Sequence, residues 1–235
     1  MTSIKKEKCT AIIVAAGQGK RMGTQTQKQF LDLGEGKPVL YYSLACFQES
    51  PVIDEIILVT SRDGLDLCKN EIVDRYDLRK VTKIIPGGRQ RRDSVYEGLK
   101  QCEGTDYVFI HDGARPFITG EILQRAMDAV REHKACAVGV PAKDTVKLLD
   151  REGFVRETPK REQTWLVQTP QCFAYPLICS AHGCVKDKDV AVITDDAVAV
   201  ELSGLAKVKM VMGAYTNLKI TTPEDIAIAK VILRG

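Results

Sequence analysis

The sequence predicts an α/β fold, a mostly parallel sheet with helices set between its strands. Short apolar runs recur at residues 10–16, 55–60, 81–86, 106–111 and 135–141, and helix-like amphipathic segments near 38–49, 64–75, 92–102 and 120–133 stand between them. That alternation is a series of right-handed βαβ units. The first run, Ala11-Ile12-Ile13-Val14-Ala15-Ala16, is apolar without interruption, which is the habit of a strand covered on both faces.

This first strand runs straight into a glycine loop, Gly17-Gln18-Gly19-Lys20-Arg21-Met22-Gly23, with Lys28 close behind. From Cys9 to Leu31 the chain holds three cations and no acid. Ligands of open parallel sheets sit beyond the carboxyl ends of the strands, so this loop is where one is expected. Glycines let backbone N–H groups close on phosphate oxygens, and Lys20, Arg21 and Lys28 offset the charge of a nucleoside triphosphate. Two familiar motifs do not match. A P-loop places Ser or Thr after its lysine, whereas Arg21 follows Lys20; a dinucleotide fingerprint spaces its glycines differently from 17, 19 and 23. The competing reading is a tight turn with solvated lysines.

Further along, Gly87-Gly88 precede Arg89-Gln90-Arg91-Arg92-Asp93-Ser94 at the start of a helix. Arginine runs at helix starts are usually solvated; Ser94 offers its hydroxyl either to a base or to a cap. The strand Tyr107-Val108-Phe109-Ile110 leads into His111-Asp112-Gly113-Ala114-Arg115-Pro116. Asp112 therefore emerges at the same sheet edge as the glycine loop and is the best candidate to ligate Mg²⁺, with phosphate and water completing the shell. Its other readings are a turn cap or a pair with Arg115. His111 receives no catalytic role, because no Ser/Cys-His-Asp arrangement can be read around it.

The rhythm breaks after Pro141. Residues 143–159 form two short, partly alternating runs around a polar turn with Gly153, which predicts a projecting β-hairpin within an arm spanning 143–165. An isolated hairpin is marginal in water, so the arm packs on a second subunit or folds back on its own domain. Within the arm Thr145 and Arg161, and beyond it Thr169 and Thr194, add hydroxyls and a cation that suit a phosphorylated polyol. Thr194 also resembles a helix N-cap, and Thr169-Pro170 a turn. The last helix starts at Thr222-Pro223-Glu224-Asp225, with a hydroxyl cap, a first-turn proline and acids at the positive end of the dipole. Lys219 lies just before it.

At 235 residues, one nucleotide-handling domain accommodates all of these elements. The balance of 34 Lys+Arg against 31 Asp+Glu does not suggest a general nucleic-acid surface. Eight cysteines contain no Cys-x-x-Cys pair, and several lie within apolar runs as small core residues, which fits a reduced, cytoplasmic protein. The N-terminal residues carry no apolar signal region, and no run is long enough to span a bilayer, so no membrane association is expected.

Taken together, Ala15-Ala16-Gly17-Gln18-Gly19-Lys20-Arg21-Met22-Gly23, Lys28-Gln29-Phe30, Asp93-Ser94-Val95, His111–Pro116, Asp144-Thr145-Val146-Lys147, Gln168–Gln171, Ile193–Asp196 and Lys219–Asp225 resemble the 2-C-methyl-D-erythritol 4-phosphate cytidylyltransferases in order and spacing along nearly the whole chain. The resemblance implies a Rossmann-like sheet of the nucleotidyltransferase type. It also implies transfer of a cytidylyl group from CTP to a sugar-alcohol phosphate in non-mevalonate isoprenoid biosynthesis, with a divalent cation, Mg²⁺. It implies a homodimer in which the arm completes the neighbour's substrate site. Arg21, Lys28 and Lys219 would be catalytic, holding the phosphates. Ala15, Ala16, Gly17, Gly19, Gly88, Ser94 and Asp112 would bind CTP, with Asp112 also on the metal. Arg115, Thr145, Arg161, Thr169 and Thr194 would bind the second substrate. The chain departs from the pattern at Gln27, where many relatives have proline, and at Arg89, where an acid occurs. A ribitol-5-phosphate cytidylyltransferase shares the glycine loop and the Thr-Pro-Gln segment; a nicotinamide-dependent dehydrogenase and a non-catalytic nucleotide-binding module are rivals of other classes.

Overall fold

The computed structural model describes residues 6–17, 27–186 and 193–234. Gly19 and Arg21, and with them most of the glycine loop, lie outside the described residues. In chain order the elements are β1 (Cys9–Ala15), β2 (Asp32–Gly34), β3 (Lys37–Pro38), α1 (Val39–Glu49), β4 (Glu55–Thr60), α2 (Leu65–Leu67, continuing as a π-helical turn Cys68–Asp74) and β5 (Val81–Pro86). They continue as α3 (Arg91–Leu99), β6 (Tyr107–Asp112), α4 (Gly120–His133), β7 (Ala135–Pro141), β8 (Leu148–Leu149), β9 (Val155–Glu157), β10 (Trp165–Ala174), α5 (Tyr175–Cys184), α6 (Asp196–Ser203), β11 (Lys209–Met212) and α7 (Pro223–Leu233).

Among the described residues the central sheet has seven strands in the order β11-β7-β10-β6-β1-β4-β5. Alternate residues of β1 serve opposite faces, as the period of a strand requires. Ala11 and Ile13 pack with Leu40, Leu44 and Phe47 of α1 and with Ile122, Leu123 and Val130 of α4. Ile12 packs instead with Val95 and Leu99 of α3 and with Ile178 and Val200 of α5 and α6. Both faces of the strand are covered, which is why its sequence has no polar alternation. Cys9, Cys68, Cys102, Cys136 and Cys172 are buried, and every cysteine is a free thiol.

All neighbouring strands are parallel except where β10 enters, which runs antiparallel to both β6 and β7. This departs from an unbroken βαβ series. The chain leaves β7 at its carboxyl end, passes through the hairpin and re-enters from the same edge, so the returning strand has to point the other way. Thr169-Pro170 is no turn: it lies within β10, joined by a cis peptide bond, where the pairing with β7 shifts register between Val167 and Gln171.

The expected hairpin forms from β8 and β9, paired antiparallel through Leu148↔Glu157 and Leu149↔Val155. Asp150 shapes its turn by accepting from the N–H groups of Glu152 and Phe154 at 3.0 and 2.9 Å, and Gly153 supplies a φ of +92° that few L residues adopt. Leu149, Phe154 and Val155 are left exposed, Phe154 to 68%. Helix ends carry the chemistry expected of them. Thr119 caps α4, and at α7 Thr222 and Asp225 form a reciprocal capping box with Pro223 in the first turn.

Candidate functional site

The order of strands around β1 reverses: the chain moves from β1 outward through β4 and β5, then returns to place β6 on the other side. Such a switch point opens a crevice at the carboxyl ends of the strands. Register puts Val14 of β1 beside Asp112 of β6 and Ala15 beside Thr60. A cavity of about 460 Å³ opens there, lined by Ala15, Ala16, Gly17, Lys28, Gly88, Ser94, Asp112 and Lys219 among others.

Each lining residue has a local reason to be in place. Gln29, buried, donates to the carbonyl of Ala15 at 2.6 Å and so fixes the short helical turn Lys28–Phe30 against the end of β1. Gly87 is needed for close approach, because a Cβ there would stand 2.6 Å from both the Ala16 Cβ and the Ser94 Oγ. The Ser94 hydroxyl accepts from Gly88 N–H at 3.2 Å and donates to the Gln90 carbonyl at 3.0 Å, holding the loop against α3. Gln90, not Ser94, is the cap of that helix, in a reciprocal box with Asp93. Lys219 sits in a loop whose next residue, Ile220, is buried and donates to the carbonyl of Ala114 at 2.9 Å, upstream of the α7 cap.

Asp112 is the centre of charge. Its Oδ2 lies 2.7 Å from the Lys219 ammonium and 4.0 Å from Arg115 Nε, and its Oδ1 lies 2.9 Å from Arg91 Nε. Burial alone would raise its pKa, but the charges of Arg91 and Lys219 outweigh that and hold the carboxyl far below the usual range. Its backbone is pinned as well. Asp112 N–H donates to Thr169 Oγ1 at 3.0 Å, and the same hydroxyl lies 3.0 Å from Nδ1 of the fully buried His111. The other ring nitrogen of His111 is 3.2 Å from the Arg115 carbonyl, which can only accept, so Nε2 carries the proton and Thr169 donates to Nδ1. Burial pushes the His111 pKa down to about 4, keeping the ring neutral and in this orientation. His111 is thus part of the scaffold beneath Asp112.

The second-substrate candidates are placed differently. Arg115 is half-buried beside Asp112 and donates to the Asn217 carbonyl at 2.8 Å. Thr169 lies beneath the carboxylate, as described. Thr194 is exposed next to Asp195, and it is Asp195, accepting from Val198 N–H at 2.9 Å, that caps α6. Thr145 and Arg161 meet each other on the arm, with Arg161 donating to the Thr145 hydroxyl at 3.3 Å, and neither lines this chain's own cavity.

Arg91 is a cavity-lining side chain that the sequence did not single out. Its guanidinium bridges Asp112 and Asp196, at 2.9 and 2.7 Å. The two carboxylates together outweigh the cost of burying its charge and raise its pKa.

Comparison with known proteins covers nearly the whole chain. The sequence profile of the 2-C-methyl-D-erythritol 4-phosphate cytidylyltransferases matches residues 9–235. The protein of that name from Lachnoclostridium phytofermentans is 46% identical over 228 residues, covering 97% of each chain; that from Clostridium perfringens is 47% identical over 223 residues, covering 95% of this chain and 97% of its own. Among solved structures, the 4-diphosphocytidyl-2C-methyl-D-erythritol synthase of Anaerococcus prevotii superposes with a TM-score of 0.85 at 35% identity over 97% of both chains. The Francisella tularensis cytidylyltransferase superposes with a TM-score of 0.79 at 29% identity, covering 96% of this chain and 99% of the other. With sequence, fold and the position of the cavity in agreement, the chain belongs to the 2-C-methyl-D-erythritol 4-phosphate cytidylyltransferase family, nucleotidyltransferases of isoprenoid biosynthesis.

Proposed function

We propose that the cavity at the carboxyl ends of β1 and β6 is where this chain joins CTP to 2-C-methyl-D-erythritol 4-phosphate, giving 4-diphosphocytidyl-2-C-methyl-D-erythritol and pyrophosphate. The observation that carries the reading is the convergence of Lys28, Arg91 and Lys219 on one cavity around Asp112, its only carboxylate among the described lining residues. A cleft lined by one sign of charge focuses its field on a polyanion. Ala15, Ala16, Gly17, Gly88 and Ser94 supply close backbone and a small hydroxyl on the side where a nucleoside would lie.

The reaction is an in-line displacement. An oxygen of the acceptor phosphate attacks the α-phosphorus of CTP, the bond to the bridging oxygen breaks, and pyrophosphate departs with that electron pair. The nucleophile is already an anion near neutral pH, so positioning and charge neutralisation carry the catalysis and no strong base is required. Lys28 and Lys219, with Arg21 from the glycine loop, neutralise the phosphates and the charge developing on the leaving group.

Asp112 fits the role of a magnesium ligand. It stays ionised, and a Mg²⁺ held by one carboxylate takes its other ligands from phosphate and water. Among the described residues no group of three or more His, Cys, Asp or Glu competes for the ion. When bound, the metal supplies neutralisation of the triphosphate and a template for in-line geometry. Lys219, paired with Asp112 at 2.7 Å, would be the cation that passes to phosphate.

The arm extends the proposal to a homodimer. Leu149, Phe154 and Val155 present apolar surface that a soluble chain normally covers, and Thr145 and Arg161 are set apart from their own cavity. A second copy satisfies both observations when each arm delivers Thr145 and Arg161 to its neighbour's acceptor phosphate. Arg115, Thr169 and Thr194 approach that phosphate from within the chain. The free thiols suit a reducing, cytoplasmic setting, and among the described residues no helix is long and apolar enough to cross a membrane.

The test is pyrophosphate release. It is expected from CTP only when methylerythritol phosphate is also present; equal release with ribitol 5-phosphate, or none with either acceptor, refutes the proposal.

A further inference from the structure

We propose that Arg91 is a positioning residue that couples occupation of the nucleotide cavity to the placement of the Thr194–Asp196 segment at the start of α6. The inference rests on the proposed nucleotide reading of that cavity. Arg91 is the first residue of α3 and borders the cavity, yet its guanidinium is shared: Nε donates to Asp112 and Nη1 to Asp196.

Asp196 is 2% exposed and does not line the cavity. The cap of α6 is already made by Asp195. A second buried acid therefore serves another purpose, since leaving it without a cation would be costly. The same first turn is gripped from the opposite side by Gln171 of β10. Its Oε1 accepts from the N–H groups of Asp196 and Ala197, both at 2.9 Å, and its Nε2 donates to Asp195 at 3.0 Å.

The start of α6 thus hangs between a fixed strand and an arginine whose other partner is the carboxylate facing the nucleotide. Arg91 would keep Asp196 as its partner once Asp112 is engaged by the nucleotide and its cation, and would hold the segment that begins with Thr194 more tightly. Lysine retains the charge at position 91, but a single ammonium lacks the planar fork that reaches both carboxylates.

The test uses the full chain, with hydrogen exchange of residues 193–203 and steady-state kinetics. CTP with magnesium is expected to slow exchange at the start of α6 in the wild type and not in Arg91→Lys. Asp196→Asn and Arg91→Lys are each expected to raise the KM for methylerythritol phosphate about tenfold, a typical coupling between sites. The double variant is expected to be no worse than either single one, because both break the same link. The Kd of Asp196→Asn for CTP, by calorimetry, is expected to stay within about twofold of the wild type. Wild-type protein that binds no CTP refutes the nucleotide reading itself. CTP binding without slowed exchange, additive losses, or an unchanged KM in both folded variants refutes the coupling alone.

Discussion

Replacing His111 with glutamine tests the scaffold beneath Asp112 through its dependence on pH. His111 is fully buried, hydrogen-bonded through both ring nitrogens, and held neutral with a pKa of about 4. In the unfolded chain the same imidazole titrates near its ordinary value of about 6.5. A group whose folded pKa lies below its unfolded one contributes stability that is complete above the unfolded value and declines as pH falls towards the folded one. Acidification from about pH 7.5 to about pH 5 therefore costs the wild type about 2 kcal/mol through this residue alone. For a chain of this length that is roughly a 4–8 °C fall in melting temperature. In His111→Gln the amide keeps a donor for the Arg115 carbonyl but cannot titrate. Urea unfolding at both pH values measures the effect: the variant is expected to be less stable than the wild type at the higher pH, with the gap closing by about 2 kcal/mol at the lower. Because the two proteins differ at no other residue, the difference isolates residue 111. A gap that stays constant across the range refutes the buried, neutral imidazole.

Other outcomes follow from the site. Lys28→Ala is expected to lower kcat about a hundredfold, roughly 3 kcal/mol of transition-state stabilisation, with unchanged circular dichroism; near-native turnover removes it from the phosphate-binding set. Arg161→Ala is expected to raise the KM for methylerythritol phosphate more than that for CTP, and an equal rise in both argues against its place at the acceptor. Phe154→Asp, at the exposed tip of the hairpin, is expected to shift sedimentation from dimer towards monomer, whereas an unchanged sedimentation coefficient refutes assembly through the arm.

The elements that were legible in the sequence are those whose signal is local. β1, β4, β5, β6 and β7 are short apolar runs closed by turn residues, and their ends fall within a residue or so of the runs themselves. The α7 cap is likewise written in four adjacent residues. β10 was not legible as an antiparallel strand, because Gln168, Thr169, Pro170 and Gln171 interrupt its centre with groups that look like loop. Those polar groups are accommodated by partners far along the chain: Thr169 by Asp112, and Gln171 by Asp195, Asp196 and Ala197. The gathering of Lys28 and Asp112 was foreseeable once the sheet edge was fixed, whereas Lys219 was expected there only from the family resemblance. The burial of Arg91 was not, since it is decided by acids 21 and 105 residues away. Six consecutive polar residues, 89–94, carry no local sign of which one turns inward.

One ribbon of backbone serves two tasks in this protein. Trp165 stands where the exposed arm rejoins the sheet, and Thr169, a few residues further along the same strand, braces the amide of Asp112. The register shift between Val167 and Gln171 sets how far Thr169 stands from the arm, so deleting a single residue between Trp165 and Thr169 would move the threonine hydroxyl away from the aspartate. The length of this stretch is therefore as constrained as any residue in the cavity, and insertions tolerated at the hairpin tip would be ruinous at its root.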